Sequence, residues 1–376
     1  MRLTLVIASL GRGGAERTAS VLANAWTERG FNVTIITVER DDVPAYPLHP
    51  AIVLRQLRMR DGMARHLLHG GGRNLRIVRA LRHGIRDSEP DIVISFMDIS
   101  NVLTLLAAHG LDIPVIVTEH VHPAYHRIGW HWQMLRRFLY HRADALVCVS
   151  RPVLDWFQTN LRITGYVIPN PVALTPSPED LHQTRDQGGH LIVGMGRLIE
   201  QKGFDLLLES FSRVAARHSD WSLKVIGEGP LRSQLEALSQ QFNLTGQVEF
   251  TGALSDPFPT LRAADLFVFS SRFEGFGNAL CEAMACGVPA ISFDCPSGPS
   301  EIIRHGIDGV LVPPEDVTAL ASAMDDLICD ATKRETFARR AADVLNRFGV
   351  DGVLSMWDRV FGDKLTTLKP DTSRAK

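Results

Sequence analysis

The sequence predicts an α/β fold made of two doubly wound, Rossmann-like domains that face each other across a cleft. The chain has 376 residues, well above the roughly 150 residues of an ordinary domain. Short runs rich in valine, isoleucine and leucine alternate with amphipathic stretches, which is the pattern of βα units feeding a buried parallel sheet. The pattern pauses near the middle of the chain and then restarts, so we expect two domains in tandem.

The first half of the chain contains a series of predicted strands separated by predicted helices. The strand sequences are RLTLVIA, FNVTIITV, DIVIS, PVIVT, ALVCVS and YVIP. A helix is predicted from about residue 14 to residue 29, because apolar side chains recur at helical spacing and Gly30 follows as a stop signal.

The segment PNPVALTPSPEDLHQTRDQGG is predicted to link the domains, because it is rich in proline, serine, glycine and charge. Further strands are predicted at HLIVGMG, WSLKVIG, QVEFTG, DLFVFS, VPAISF and GVLVPP. We therefore assign the first domain to residues 1–171 and the second to 172–349. A helix at about 350–366 is expected to pack back on the first domain, and 367–376 to form a flexible tail.

Composition and charge indicate a globular protein whose first half is basic. The apolar fraction of 45% and charged fraction of 22% are typical of globular proteins. The start of the chain reads as a strand rather than a signal peptide, and no apolar run is long enough to span a membrane. The five cysteines lack metal-ligand spacing, so we expect reduced thiols in a cytoplasmic protein. Residues 1–171 contain 20 Arg, no Lys and 14 Asp or Glu, a net charge of +6 that favours contact with an anionic surface.

A glycine-rich loop, SLGRGGAER, follows the first predicted strand. Gly13 and Gly14 permit close approach to the backbone, and the helix that starts there points unpaired N–H groups outward, which favours a bound phosphate. The dinucleotide fingerprint GxGxxG is not met, because Glu16 stands at the place of its last glycine. A plain glycine-rich turn is the alternative.

The equivalent loop of the second domain lies in GMGRLIEQKGFDLLL. Arg197 and Lys202 follow a predicted strand and precede a helix, five residues apart, so their cations can converge on a diphosphate. Lys202 is also the first lysine in the chain. A solvated helix start is the alternative.

The stretch EGFGNALCE follows the predicted strand DLFVFS. Glu274 lies in the loop, and Phe276, Gly277 and Asn278 offer free N–H groups at a helix start. Glu282 lies two turns into that helix among apolar neighbours, so its carboxylate is expected to be buried and to need a partner such as a pair of ribose hydroxyls. A strand-to-helix turn with incidental acids is the alternative.

These motifs resemble those of the retaining glycosyltransferases of family 4, in the GT-B superfamily. EGFGNALCE matches the family motif E-x7-E, and IPNPV, GRLIEQKG and PSEIIRHGIDGVLVPP also look like family positions in family order. The resemblance covers nearly the whole length of the chain. The resemblance implies that Glu282 holds the nucleotide ribose, Glu274 the transferred sugar, and Arg197 with Lys202 the diphosphate. It also implies that His120, just past the strand PVIVT, lies against the donor sugar at the reacting centre, with a satisfied core histidine as the alternative.

The resemblance implies transfer of a hexose or N-acetylhexosamine, with retention, from a UDP-sugar donor to a polyprenyl-diphosphate-linked glycan. The segment SFDCPSGPSEII is most similar to the members that extend undecaprenyl-diphosphate-linked oligosaccharides in protein glycosylation or polysaccharide biosynthesis. No D-x-D clamp for a divalent ion occurs, so we expect no metal and no cofactor beyond the nucleotide-sugar co-substrate. A nucleic-acid partner is not expected.

The stretch RIGWHWQMLRRFLYHR predicts an amphipathic helix that contacts an anionic membrane surface. The arc expected to face inward carries Trp132, Leu135, Phe138 and Leu139. The arc expected to face lipid headgroups or a lipid diphosphate carries Arg136, Arg137, Tyr140 and His141. We therefore expect a peripheral protein at the inner face of the cell membrane. A solvated charged face is the alternative.

Other functions are compatible with the same architecture. A sugar-nucleotide epimerase or a phosphorylase is the nearest enzymatic alternative, although a phosphorylase needs a pyridoxal phosphate lysine and the chain offers few lysines. A dehydrogenase is disfavoured by Glu16, although Glu39 at the end of the second strand is placed to bind a ribose. A non-catalytic nucleotide-binding protein would bind the donor without turnover.

Overall fold

The computed structural model describes residues 1–39, 43–59, 67–173 and 189–368. The chain divides into two compact units, Met1–Pro171 with Val350–Lys376 and Val172–Gly349. Most of the predicted linker, 174–188, and nearly all of the predicted flexible tail, 369–376, lie outside the described residues.

The first unit is built on a parallel sheet. Its strands are β1 (Arg2–Ile7), β2 (Asn32–Thr37), β3 (Val53–Gln56), β4 (Ile92–Phe96), β5 (Val115–Glu119), β6 (Ala145–Cys148) and β7 (Tyr166–Val167). In the described part of the unit they pair in the order β3-β2-β1-β4-β5-β6-β7, and each pairing is parallel. β4 and β5 are buried along their whole length, as valine- and isoleucine-rich strands require when helices cover both faces.

Helices cover both faces of this sheet. They include α1 (Gly14–Glu28), α2 (Leu67–Ser88), α3 (Asp98–Ala108), α4 (Trp130–Leu139) and α5 (Arg151–Leu161). Side chains alternate along β1, so Leu3 and Leu5 share one core with α1 while Val6 shares the other with helices α2 to α5.

The second unit repeats the same plan. Its strands are β8 (His190–Met195), β9 (Trp221–Ile226), β10 (Val248–Gly252), β11 (Leu266–Phe269), β12 (Ala290–Phe293) and β13 (Gly309–Val312). They pair in parallel in the order β10-β9-β8-β11-β12-β13. Both units thus have the strand order of a doubly wound sheet, which confirms the predicted pair of Rossmann-like α/β domains.

The helices of the second unit cover this sheet. They are α6 (Phe204–Ala215), α7 (Arg232–Gln241), α8 (Phe258–Arg262), α9 (Asn278–Ala285), α10 (Pro299–Ile302), α11 (Val317–Cys329), α12 (Ala331–Ala341) and α13 (Val344–Phe348). The core of the unit forms where the apolar faces of α6 and α11 meet β8, β9 and β12.

The final helix, α14 (Val350–Leu368), belongs to the first unit. Trp357 and Phe361 pack against the fully buried Trp26 of α1, with ring centroids 5.6 and 5.7 Å from that of Trp26. The chain therefore leaves the first unit and returns to it at its end. Within the described ranges, every helix is too short or too polar to cross a bilayer.

Candidate functional site

The candidate residues lie at the carboxyl ends of parallel strands. In a doubly wound sheet the strand order reverses next to the first strand, here between β1 and β4 and between β8 and β11, and ligands bind beyond the carboxyl ends there. Gly13 and Gly14 follow β1, Arg197 and Lys202 follow β8, and Glu274 follows β11. The topology therefore places the predicted residues of each unit at its ligand-binding edge.

The structure brings Lys202 and Glu274 together although they are 72 residues apart in sequence. The Lys202 Nζ donates a hydrogen bond to the Glu274 Oε1, and the two side chains are only 18% and 9% exposed. The ammonium also lies 5.5 Å from the centre of the Phe269 ring. A cation and a carboxylate thus share a largely water-shielded position where β8 and β11 end.

Hydrogen bonds between the loops after β8 and β11 hold this pair in place. The Ser270 hydroxyl donates to the carbonyl of Lys202 at 3.0 Å, and the Arg272 backbone N–H donates to the carbonyl of Gln201 at 2.8 Å. Gly203 closes the turn with φ +61°, and a Cβ there would collide with the Ser270 carbonyl. This close approach explains why a glycine follows Lys202.

The Glu274 loop is held by the segment SFDCPSGPSEII, which sequence analysis used only for the family resemblance and gave no role in the site. The Ser297 hydroxyl donates to the carbonyl of Glu274 at 2.5 Å, and the Glu274 N–H donates to the carbonyl of Pro296 at 3.3 Å. Gly298 has φ +104°, and its backbone lies so close to the Phe276 carbonyl that no side chain fits. The Ser-Gly-Pro turn signal was visible in the sequence, but its contact with Glu274 was not.

The stretch after Glu274 forms the start of α9. Gly277 caps the helix with φ +116°, and Asn278 is its first residue. Phe276 is buried and packs edge-on against Phe348, so only its backbone is available to a ligand. Glu282, on the second turn, is 5% exposed, as its apolar neighbours predict.

Arg197 differs from Lys202 in its surroundings. Its side chain is exposed and follows the strand end directly, before the buried Leu198. Among the described residues its guanidinium has no carboxylate partner, whereas the Lys202 ammonium is paired with Glu274.

The glycine-rich loop of the first unit lies at the N-terminus of α1. Gly13 is extended and Gly14 is the first helical residue. The Glu16 carboxylate lies against Gly13, where a Cβ would collide with it. The positive end of α1 thus already faces one carboxylate of the chain itself.

His120 follows β5 and stacks on Phe96, with ring centroids 5.4 Å apart. Its Nε2 lies 2.9 Å from the Thr118 hydroxyl. Burial lowers the pKa of His120 to about 4, while the nearby Asn170 side chain acts in the opposite direction. The imidazole is therefore neutral at neutral pH.

The structure contradicts the assignment of Arg136 and Tyr140 to a membrane-facing arc, because both side chains are buried. Arg136 is 1% exposed, and its guanidinium lies 4.0 Å from the Glu119 carboxylate and 5.1 Å from the centre of the Trp156 ring. It also donates to the Gln133 side chain at 2.6 Å. Arg137 is exposed, as predicted.

The buried arc of α4 consists of Trp132, Arg136 and Leu139, whereas Phe138, expected inside, is 64% exposed. The helix is rotated relative to the prediction because a buried carboxylate from β5 compensates the Arg136 charge.

Glu119 is the centre of a buried polar network that sequence analysis left without a role. The Tyr140 hydroxyl donates to its carboxylate at 2.5 Å, and the Asn101 amide donates to the Tyr140 hydroxyl at 3.0 Å. Burial raises the pKa of Glu119 to about 7, with the charge of Arg136 opposing the shift. The network fixes the end of β5 directly before His120.

Two family models match the chain. Residues 12–175 match the model described as Glycosyltransferase Family 4, and residues 180–344 match the model described as Glycosyl transferases group 1. Each model corresponds to one of the two Rossmann-like units.

Characterised relatives cover most of the chain. It is 25% identical, over 96% of its length and 99% of the relative, to a Campylobacter jejuni N-acetyl-D-galactosaminyltransferase whose name specifies a GalNAc–GalNAc–diNAcBac-PP-undecaprenol substrate. It is 28% identical, over 89% of its length and 91% of the relative, to the lipopolysaccharide core biosynthesis glycosyltransferase LpsE of Rhizobium meliloti. An exopolysaccharide phosphotransferase of Streptomyces coelicolor is 33% identical over 61% of this chain, but the match spans only 24% of that protein.

Solved structures share the fold. A sucrose-phosphate synthase from Thermosynechococcus elongatus superimposes with a TM-score of 0.83 at 18% identity, covering 97% of this chain and 99% of the other. Anabaena HepE in complex with UDP and glucose superimposes with a TM-score of 0.78 at 20% identity, covering 96% and 98%.

Proposed function

Because the chain belongs to the family 4 glycosyltransferases of the GT-B superfamily, we propose that it transfers a hexose or N-acetylhexosamine from a UDP-sugar to a polyprenyl-diphosphate-linked glycan. The undecaprenol-linked substrate in the name of the Campylobacter relative supports the acceptor class. The HepE complex with UDP and glucose, which has the same fold, supports the donor class.

The contact between Lys202 and Glu274 carries the proposal. A sugar nucleotide joins an anionic diphosphate to a neutral sugar, so it offers a separate partner to each member of this pair. When the donor binds, the Lys202 ammonium turns to the diphosphate and the Glu274 carboxylate accepts hydrogen bonds from sugar hydroxyls. Both side chains are already shielded from water, which strengthens these interactions.

The same elements stabilise the leaving group. Negative charge grows on the diphosphate as its bond to the anomeric carbon breaks. Lys202, the exposed Arg197 and the N–H groups at the start of α9, from Gly277 to Asn278, oppose that charge. We propose that these groups take the place of a metal ion and that no cofactor takes part.

We assign the buried carboxylate of Glu282 to the ribose hydroxyls, which can donate two hydrogen bonds to it. Glu274 orients the sugar through hydrogen bonds to its hydroxyls rather than attacking it, and, as the family resemblance implies, retention follows from front-side attack assisted by the leaving phosphate. The phosphate-binding role that the glycine-rich loop predicts for Gly13 and Gly14, and the role that the family resemblance implies for His120, stay predictions. A neutral His120 is suited to hydrogen bonding with a sugar hydroxyl.

A lipid-linked acceptor requires access to a bilayer. We propose that the protein works as a peripheral protein at the inner face of the cell membrane. The net charge of +6 in residues 1–171 supports attraction to anionic lipid headgroups.

The test is a transfer assay with a panel of UDP- and GDP-sugars and purified polyprenyl-diphosphate-linked acceptors, with and without excess EDTA. We expect transfer from a UDP-sugar that persists in EDTA, with the donor's anomeric configuration retained by NMR. Interconversion of the free sugar nucleotide would instead identify an epimerase. Donor binding without any product would identify a non-catalytic nucleotide-binding protein.

A further inference from the structure

The outward face of α4 carries a stripe of large apolar side chains. Trp130, Met134 and Phe138 are 74%, 48% and 64% exposed. They are four residues apart, so they lie one above the other along the helix. Single exposed apolar residues are common on protein surfaces, but three that form a continuous stripe mark an interaction surface.

The opposite face of the same helix is firmly anchored. Trp132 is 1% exposed in the core of the first unit, and Arg136 is held by Glu119, Gln133 and Trp156. A rotation of α4 that buried Phe138 would pull the Arg136 guanidinium away from these partners. The stripe is therefore presented to the surroundings as a fixed feature of the fold.

The charge around the stripe indicates the chemistry of its partner. Exposed basic side chains flank it on both sides: Arg127, Arg137, His141 and Arg142. The sequence contains no Asp or Glu from residue 120 to residue 143. The first acid beyond, Asp144, is exposed but accepts a hydrogen bond from the Val115 N–H at 2.7 Å. An apolar stripe flanked by exposed arginines is complementary to anionic headgroups above an acyl-chain region.

We propose that α4 is the membrane-docking element of this protein and that it lies in the plane of an anionic bilayer surface. Trp130, Met134 and Phe138 enter the boundary between headgroups and acyl chains, while Arg127 and Arg137 contact headgroup phosphates. A tryptophan is well suited to this boundary because its ring is apolar and its N–H is polar. This inference rests on the proposed function, which requires access to a bilayer, and it identifies α4 as the surface that contacts the bilayer.

The test compares vesicle binding of the wild type with the variant Trp130→Gln/Met134→Gln/Phe138→Gln. Vesicles are made of equal parts phosphatidylglycerol and phosphatidylcholine, and binding is measured by sedimentation. We expect the vesicle partition coefficient of the triple variant to be lower than that of the wild type by about tenfold or more, since the variant loses the apolar contacts and keeps the cations. A matched control, Val53→Gln/Ile307→Gln, removes side chains that are 51% and 42% exposed elsewhere, and it should bind like the wild type.

A second readout reports insertion directly. Brominated lipids should quench the fluorescence of the wild type more than that of Trp130→Phe, because only an inserted indole meets the bromine atoms. Circular dichroism and thermal melting check that the triple variant is folded. Equal vesicle binding by the triple variant, or no Trp130-dependent quenching in the bound protein, would overturn the proposal. So would a wild-type dimer that the triple variant disrupts while its vesicle binding stays unchanged.

Transfer to a water-soluble acceptor analogue separates this inference from the proposed function. We expect the triple variant to retain wild-type turnover on that acceptor and to lose turnover on acceptor embedded in vesicles. If the wild type transfers sugar but the stripe does not affect vesicle binding, the docking surface is wrong and the enzyme assignment stands. If the wild type binds vesicles through the stripe but transfers no sugar, the enzyme assignment is wrong.

Discussion

Two cation–carboxylate pairs, one fully buried in the first unit and one partly buried in the second, show how differently the same charges can be used. Arg136 and Glu119 are enclosed on all sides, at 1% and 3% exposure, and they make further contacts with Gln133, Tyr140 and aromatic faces. Lys202 keeps 18% of its side chain exposed and has Glu274 as its carboxylate partner among the described residues. The first pair is built into the core of its unit, whereas the second lies beside the strand ends where we propose that the donor binds and the pair exchanges partners.

The residue types agree with this difference. A guanidinium offers several donors in a fixed plane and stacks on rings, so it suits a permanent buried site. An ammonium on a flexible chain is a point charge that can turn from a carboxylate to a diphosphate. The comparison predicts that the arginine pair determines stability and the lysine pair determines turnover.

The largest effect is expected for Arg136→Ala. At about pH 8 it leaves the buried Glu119 carboxylate without its cation, which should lower the free energy of unfolding by about 3 to 5 kcal/mol. Urea unfolding followed by circular dichroism measures the change. Arg137→Ala, on the exposed side of the same helix turn, is the control and should stay within about 0.5 kcal/mol of the wild type. Similar losses of unfolding free energy for both variants would mean that the Arg136–Glu119 pair contributes no more to stability than the exposed Arg137.

Lys202→Ala is the counterpart in the second unit. It removes a cation that opposes the growing charge on the diphosphate, so the transfer rate should fall on the order of a hundredfold or more. Lys224→Ala, which breaks a surface pair with Glu249 at 3.1 Å, serves as the control and should leave the rate unchanged. A near-normal transfer rate for Lys202→Ala would show that Lys202 does not contribute to the active site.

Substitutions of the two glutamates of EGFGNALCE should have different effects on UDP affinity and on the transfer rate. Glu282→Gln turns a charge-assisted contact with ribose into a neutral one, which should weaken binding of both donor and free UDP by about 1 to 3 kcal/mol. Glu274→Gln should spare UDP affinity and depress transfer, because its partner is the sugar. Calorimetry with UDP and initial transfer rates measure the two effects. Equal weakening of UDP binding with full turnover at saturating donor would show that both residues are structural.

A further effect concerns the pH dependence of stability. The pKa of Glu119 is raised from 4.5 to about 7, so the folded protein holds this proton more tightly than the unfolded chain. Its contribution to stability is therefore present below about pH 4.5 and is lost as pH rises through about 7. The pKa of His120 is lowered to about 4, and its contribution is lost in the opposite direction, as pH falls below about 6.5.

Glu119→Gln isolates the contribution of Glu119 to the pH dependence of stability, because His120 is present in both proteins. The urea midpoint of the variant, relative to that of the wild type, should increase between about pH 5 and about pH 8. A difference in midpoint that is constant across this range would contradict the raised pKa of Glu119.

The sequence alone determined the fold class, and it predicted that the candidate residues of the second unit follow strand ends. Valine- and isoleucine-rich runs and helical spacing are local patterns, so they predict the strands and helices without knowledge of the rest of the chain. The burial of Glu282 also followed from its neighbours on one helix, and E-x7-E with its companion segments predicted the family that the family models then identified.

Only the tertiary structure decided which distant groups meet. The contact of Lys202 with Glu274, and the clamp of Ser297 and Gly298 on the Glu274 loop, depend on the adjacency of β8 and β11 and on a turn that follows a further strand. The outward face of α4 was predicted wrongly because hydropathy treats an arginine as a surface residue. Glu119, contributed by a neighbouring strand, compensates the charge of Arg136 in the core, and the apolar Phe138 is consequently turned outward.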